Sequence, residues 1–294
     1  MKGNKRDKIY LFMILPAFIG FTGLFIVPTV MSFFYSMTNW SVYSQEIHFV
    51  GLHNYRKLFS DDKTIAPILH SIKYAILITV IQNVFAIVLA VLLNKKSKAA
   101  NFVKSITFLP AVLSIMVVGY LFQYIMTSAD GGLLNSILMF FGGKPVNWLG
   151  DSKIALYSVL ITQVWQWTGW SMVIYIANLK SIDSALYEAA NIDGCGYWKS
   201  FFLIMLPIAK PGVVVAAVFS FVYAWGDLIY GITFITNPNM RPITSSIYNY
   251  VQQYQTLWNS TMAFGIIAIS PVVLIFIFMQ RYIVSGLTNG AVKA

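Results

Sequence analysis

YAILITVIQNVFAIVLAVLL, residues 74–93, settles what kind of chain this is. Twenty uncharged residues, each rising about 1.5 Å along a helix, cross a hydrocarbon core of about 30 Å. Working outward, five more runs of the same kind bring the total to six. They lie approximately at Ile9 to Tyr35, Tyr74 to Leu93, Ile106 to Met126, Ile154 to Leu179, Val213 to Ile235 and Thr261 to Val284. The runs are apolar all round and do not alternate, which marks them as helices and not as barrel strands. The predicted fold class is therefore all-α, a polytopic membrane protein with six transmembrane helices. We expect a single transmembrane domain over residues 1–294, with its core spans at about 70–284.

Composition agrees. Of 294 residues 58% are hydrophobic, 16% aromatic and only 10% charged, against about 25% charged in a soluble domain. The excess of 20 Lys+Arg over 10 Asp+Glu belongs on loops at a membrane face and not on a nucleic-acid surface, so no nucleic acid is expected. One cysteine, Cys195, excludes an internal disulfide framework, and with three histidines it offers no metal-ligand spacing. No paired carboxylates, Ser/His/Asp set or Gly-rich phosphate loop stands out, so the expectation is no catalytic residue, no metal and no cofactor of its own. The first run follows Lys2, Lys5, Arg6 and Lys8. It is too long for a secretory signal, carries Pro16 and Pro28, and lacks a small-residue cleavage site, so it reads as a retained helix.

Basic residues set the orientation. With the N-terminus in the cytoplasm, Lys2, Lys5, Arg6, Lys8, Lys95, Lys96, Lys98, Lys104, Lys180, Lys199, Lys210, Arg281 and Lys293 fall inside. Arg56, Lys57, Lys63, Lys73, Lys144, Lys153 and Arg241 fall outside. Thirteen against seven places both termini in the cytoplasm. The outer loop from Ser36 to Ser71 is polar enough to dock a partner.

The inner loop, SIDSALYEAANIDGCGYWKSFFLIMLPIAKP at 181–211, carries the most structured chemistry. Asp183 is a plausible N-cap for a short helix bearing Ala185, Leu186, Ala189 and Ala190 on one side. Gly194 suits the left-handed residue that ends it. Tyr197 to Leu206 form a second amphipathic piece, which Pro207 and Pro211 are expected to stop before the membrane is re-entered.

Glu188-Ala189-Ala190, Asp193-Gly194, Phe201, Ile204, Leu206-Pro207 and Pro211 together resemble the EAA loop of permease subunits in binding-protein-dependent ABC importers. Cys195 stands where the family usually has alanine. The resemblance extends to GLHNYRKLF from Gly51, FLPAVLS from Phe108, GGLLN from Gly131 and the Trp-rich fourth span. These look like the first permease of carbohydrate importers of the maltose and glycerol-phosphate kind. WGDLIYGITFIT from Trp225, RPITSSIYNYVQQY from Arg241 and the ending from Gln280 look more like the second.

The resemblance implies a bacterial cytoplasmic-membrane subunit that forms the pathway for a sugar or oligosaccharide. ATP and Mg would be bound by separate ABC ATPase subunits, a sugar-binding protein would deliver cargo from outside, and the pair would be completed by a second permease or a second copy. It assigns ATPase coupling to Glu188, Ala189, Ala190, Asp193, Gly194, Phe201, Leu206 and Pro207.

Polar groups at membrane depth are the other candidates. If each span is centred on the bilayer, Gln82, Asn83, Ser114, Gln166, Trp167, Tyr223 and Ser270 fall near the midplane, and Asp227 a little outward. Amides and hydroxyls suit sugar hydroxyls, and aromatic rings suit the C–H faces of a pyranose. The same residues equally suit helix-to-helix hydrogen bonds, and Trp165, Trp167 and Trp170 suit packing. Other readings are an ion-coupled secondary transporter, which usually needs buried ionisable relays where Asp227 stands alone, and a membrane-embedded enzyme. A third is an ABC permease for peptides or phosphate esters, for which no Arg or Lys near the midplane speaks.

Overall fold

The structure is a computed structural model that describes residues 5–42, 44, 46–95, 97–128, 131–151, 153–180, 182, 185–186, 192, 194–235, 241–247 and 257–288. These residues form helices and turns, with one isolated antiparallel bridge between Thr38 and Phe49. The chain packs as two compact units, 1–65 with 247–270 and 66–246 with 271–294.

In the first unit, α1 (Lys5–Phe21) runs through a π turn at Thr22–Ile26 into α2 (Val27–Tyr35), with Pro28 in the first turn of α2 where its missing N–H does no harm. From Phe12 to Tyr35 the rod is long and apolar enough to cross a membrane, and its large side chains are exposed around the circumference. Past it, α3 (His53–Phe59) supplies a buried amide: Asn54 donates to the carbonyls of Ser36 and Thr38 at 2.7 and 2.8 Å. Those two bonds fix the turn that leaves the apolar rod.

The second unit is built on α4 (Asp62–Leu93). After a short turn the Ser97 hydroxyl caps α5 (Lys98–Phe108), accepting from the Ala100 N–H at 3.1 Å. A 3-10 turn at Leu109–Val112 follows, and then α6 (Ile115–Ile125) sets off at 97° to the segment before it. Next come α7 (Leu133–Phe140), α8 (Ala155–Lys180) and α9 (Tyr197–Ser200). A π turn at Phe201–Met205 leads into α10 (Leu206–Trp225), which is followed by α11 (Ile229–Phe234) and α12 (Ile243–Ser246). The final long helix, α13 (Trp258–Thr288), belongs to the first unit as far as Ser270 and to the second from Pro271. Small residues let the helices approach: Ala86, Ala90 and Ala216 lie fully buried beside Met172 and Tyr175. At Gly169 an added methyl group would stand 2.0 Å from the Thr107 carbonyl oxygen.

One expectation is not confirmed and another needs correction. Among the described residues, four helices are long and apolar enough to cross a membrane, or five if the bent pair Lys98–Val112 and Ile115–Ile125 is one span. The expected six is not reached on that measure. The run missing from it is α8, which at 26 residues is long enough but carries Gln163, Gln166, Ser171 and Asn178. Fifteen of its residues are buried, so most of its surface meets protein and need not be apolar. Secondly, Pro207 and Pro211 do not end the amphipathic piece. Pro207 sits in the first turn of α10, where proline is tolerated, and Pro211 lies inside the helix. The span therefore begins at Phe201 and ends at Trp225.

Candidate functional site

Three helices of the second unit meet through polar side chains. Gln82 and Asn83 are neighbours on α4, Ser171 and Tyr175 stand one turn apart on α8, and Ser220 lies on α10. The Gln82 amide donates to Ser171 Oγ at 2.8 Å and to Ser220 Oγ at 3.1 Å. The Asn83 amide donates to Ser220 Oγ at 3.1 Å and to the Thr79 carbonyl at 2.6 Å, while the Tyr175 hydroxyl donates to Asn83 Oδ1. All five side chains are buried. Each polar group thus finds its partner inside the protein, as burial at membrane depth requires.

A second network lies where two helices break. Asp227 follows the end of α10, and its Oδ1 accepts the Tyr230 backbone N–H at 3.0 Å, capping α11. Its other oxygen accepts from the Tyr74 hydroxyl at 3.3 Å, which also donates to Gln163 Oε1 at 2.5 Å. Thr244 Oγ1 donates to the Asp227 carbonyl at 2.8 Å. The Tyr230 hydroxyl donates to Gln166 Oε1, and the Gln166 amide donates to the Leu113 carbonyl at 3.0 Å. A carbonyl freed by the break before α6 is thereby satisfied, and the breaks around Leu113 and Asp227 share one tether.

Against these buried networks stands an accessible aromatic face. Trp167 and Tyr223 stack with centroids 5.5 Å apart and planes at 16°. Trp170 meets Tyr223 edge-on at 6.2 Å and Phe219 at 6.0 Å. Tyr223 is 52% exposed, while Trp167 and Trp170 are half-buried. Flat rings stacked between α8 and α10, with hydroxyl and indole donors at their rims, can hold a molecule that is apolar on its faces and polar at its edge.

Between α8 and α9, Gly194 has φ +70°, a left-handed conformation that glycine enters without steric cost. The Ser200 hydroxyl donates to the Cys195 carbonyl at 3.4 Å, Phe201 is buried, Leu206 half-buried and Pro207 exposed. Glu188, Ala189, Ala190 and Asp193 lie outside the described residues.

Residues 82–289 match the family model of the binding-protein-dependent transport system inner membrane component. The chain belongs to that family. It is 35% identical to a probable ABC transporter permease, YurN of Bacillus subtilis, over 71% of this chain and 72% of that protein. With the arabinooligosaccharide transport system permease AraP of the same species it shares 28% identity over 99% of this chain and 91% of that protein. That relative runs through both the part resembling a first permease and the part resembling a second. In fold it resembles a chain of a bacterial alginate ABC transporter, solved in complex with an alginate pentasaccharide-bound periplasmic protein. The TM-score is 0.80, with 94% of each chain covered at 24% identity.

Within this inner membrane component the candidates separate by environment. Gln82, Asn83 and Gln166 are buried and bonded to neighbouring helices; Asp227 is half-buried and caps α11. Trp167 and Tyr223 come together on the aromatic face. Ser114 is exposed at the start of α6, and Ser270, in the other unit, is exposed with its hydroxyl on the Ile267 carbonyl at 2.9 Å. Sequence reasoning missed Tyr74, Gln163, Ser171, Tyr175, Ser220 and Tyr230. Gln163, Trp167, Ser171 and Tyr175 recur every four residues along α8; that polar and aromatic stripe was the available signal.

Proposed function

We propose that this permease forms part of the pathway for a neutral oligosaccharide, with Trp167 and Tyr223 as its sugar-contacting pair. The stacked, accessible rings carry the reading, because pyranose C–H faces stack on aromatic planes while hydroxyls take up the polar rims. The relatives' substrates support it: AraP is named for arabinooligosaccharides, and a diacetylchitobiose uptake permease of Streptomyces coelicolor is 28% identical over 97% of this chain. Neither polar network nor the aromatic face includes a Lys or Arg, which speaks against an anionic phosphate cargo. On this reading Gln82, Asn83 and Gln166 hold the helices in register, while Ser114 and Ser270 have no assigned part in sugar contact.

The chain works as half of a transmembrane pair, completed by a different permease or a second copy. It receives cargo from an extracytoplasmic binding protein, keeps both termini in the cytoplasm, and is driven by separate ATPase subunits that engage loop 181–211. Supporting this, Gly194, which the EAA pattern places at a turn, has the left-handed φ of +70°. The deciding experiment is uptake of radiolabelled oligosaccharides into proteoliposomes containing the permease with its co-purified subunits. Uptake that requires ATP inside and binding protein outside is the expected result. Uptake by this chain alone, driven by an ion gradient, would replace the reading with that of a secondary transporter.

A further inference from the structure

On the second unit an apolar groove of about 480 Å³ runs between the end of α4 and the start of α10. Val84, Val88 and Leu92 form one wall, and Phe201, Phe202 and Leu206 the other. Phe201 and Phe202 of that wall belong to the π turn at Phe201–Met205 that precedes α10. Going from Leu206 to Phe219 turns the helix by about 220°, at about 100° per residue, so the groove lies on the side of α10 away from the aromatic face.

Its mouth is basic. Lys95 follows the end of α4 by two residues and Lys199 precedes Phe201 by two, so both chain segments leave the groove at the same end; both lysines are exposed. The Lys104 Nζ lies 3.5 Å from the Lys95 carbonyl oxygen, adding a third positive group there. None of the three has an ion pair among the described residues.

We propose that the groove holds an acyl chain of one anionic phospholipid, whose phosphate is met by Lys95 and Lys199. An apolar slot with lysines at one end that have no ion pair among the described residues matches the two halves of such a lipid. A helix of a partner protein, about 10 Å across, would fill 480 Å³ with little more than one turn, so the space suits a single flexible chain better. The inference rests only on the chain's being membrane-embedded, and stands or falls separately from the sugar reading.

The test is native mass spectrometry of the detergent-solubilised permease complex with phosphatidylglycerol or phosphatidylcholine added at equal concentration. Preferential retention of phosphatidylglycerol is expected. Lys95→Gln and Lys199→Gln should each lower it roughly fivefold, the equivalent of about 1 kcal/mol per basic group at an anionic surface. Val88→Trp, which fills the groove, should lower retention of both lipids. Equal retention of the two lipids by the unaltered protein, or retention unmoved by the paired lysine variant, would overturn the proposal. So would a photoreactive group at position 88 that crosslinks to a polypeptide instead of a lipid.

Discussion

The Gln166 amide donates to the Leu113 carbonyl at 3.0 Å, at the residue where the segment ending at Val112 gives way to α6 at an angle of 97°. A broken helix inside a membrane persists only if its freed backbone groups find partners in the protein. Gln166, fully buried on α8, supplies one and also accepts the Tyr230 hydroxyl, so one side chain holds two helix breaks.

Replacing Gln166 by Leu keeps the volume and removes both bonds. An orphaned buried polar group costs about 1–3 kcal/mol, though single interhelical bonds in membranes average nearer 0.6 kcal/mol. We expect a loss of about 1–2 kcal/mol, read as a fall of several degrees in the Tm of the solubilised protein. Tyr230→Phe, which leaves the Leu113 bond intact, should lose about half as much. Equal Tm values for all three proteins would remove the tether from the account.

Gly169 makes a sharper demand. A methyl group there meets the Thr107 backbone oxygen at 2.0 Å, and backbone cannot swing aside as a side chain can. Overpacking costs about 1–3 kcal/mol or more, so Gly169→Ala should sharply lower the yield of folded protein. At Gly265, on α13, a methyl group meets nothing within 4 Å. Gly265→Ala should leave yield unchanged or raise stability by up to about 1 kcal/mol through helix propensity. Size-exclusion profiles of the two variants from detergent extracts separate the cases.

Asp227 tests the ion-coupled alternative. Its carboxylate accepts the Tyr230 N–H and the Tyr74 hydroxyl; an asparagine oxygen can keep the first bond, and its amide can donate to the Tyr74 oxygen while the Tyr74 proton stays on Gln163. Asp227→Asn should keep the fold and ATP-dependent uptake within about twofold, whereas Asp227→Ala should lose about 1 kcal/mol of stability with the cap. Uptake abolished in the asparagine variant, with folding intact, would point to a proton or ion relay.

The apolar runs made the helical class legible because about 20 uncharged residues in a row have few other structural uses. Membership of the family was legible in the spacing of residues from Glu188 to Pro211. The break at Leu113 was not, because FLPAVLS reads as continuous apolar sequence and Pro110 fits either a kink or a turn. Nor was the division between buried amides and accessible rings: Gln166 and Trp167 are adjacent on α8 and point to different surroundings, and residue type alone does not say which faces a neighbour. Span lengths failed at α10 for a physical reason, since a proline in the first helical turn does not stop a helix.

At Gly194 the φ of +70° penalises any side chain, by about 1–2 kcal/mol. Gly194→Val should leave the permease in the membrane while reducing the uptake gained per ATP hydrolysed by the assembled complex. Parallel assays of hydrolysis and uptake in one proteoliposome preparation check this, and an unchanged ratio would detach that turn from coupling.

The central claim is that Trp167 and Tyr223 touch the sugar. Its most direct measurement is binding-protein-dependent, ATP-driven uptake of a radiolabelled oligosaccharide by complexes carrying Trp167→Ala with Tyr223→Ala, beside Trp165→Ala as control. Trp165 is exposed and packs with Phe122, outside the stacked pair. Losing ring contacts of about 1 kcal/mol each, the double variant should import at least about tenfold more slowly while assembly and ATP hydrolysis persist, and the control should import normally. Normal uptake by the double variant would contradict the account.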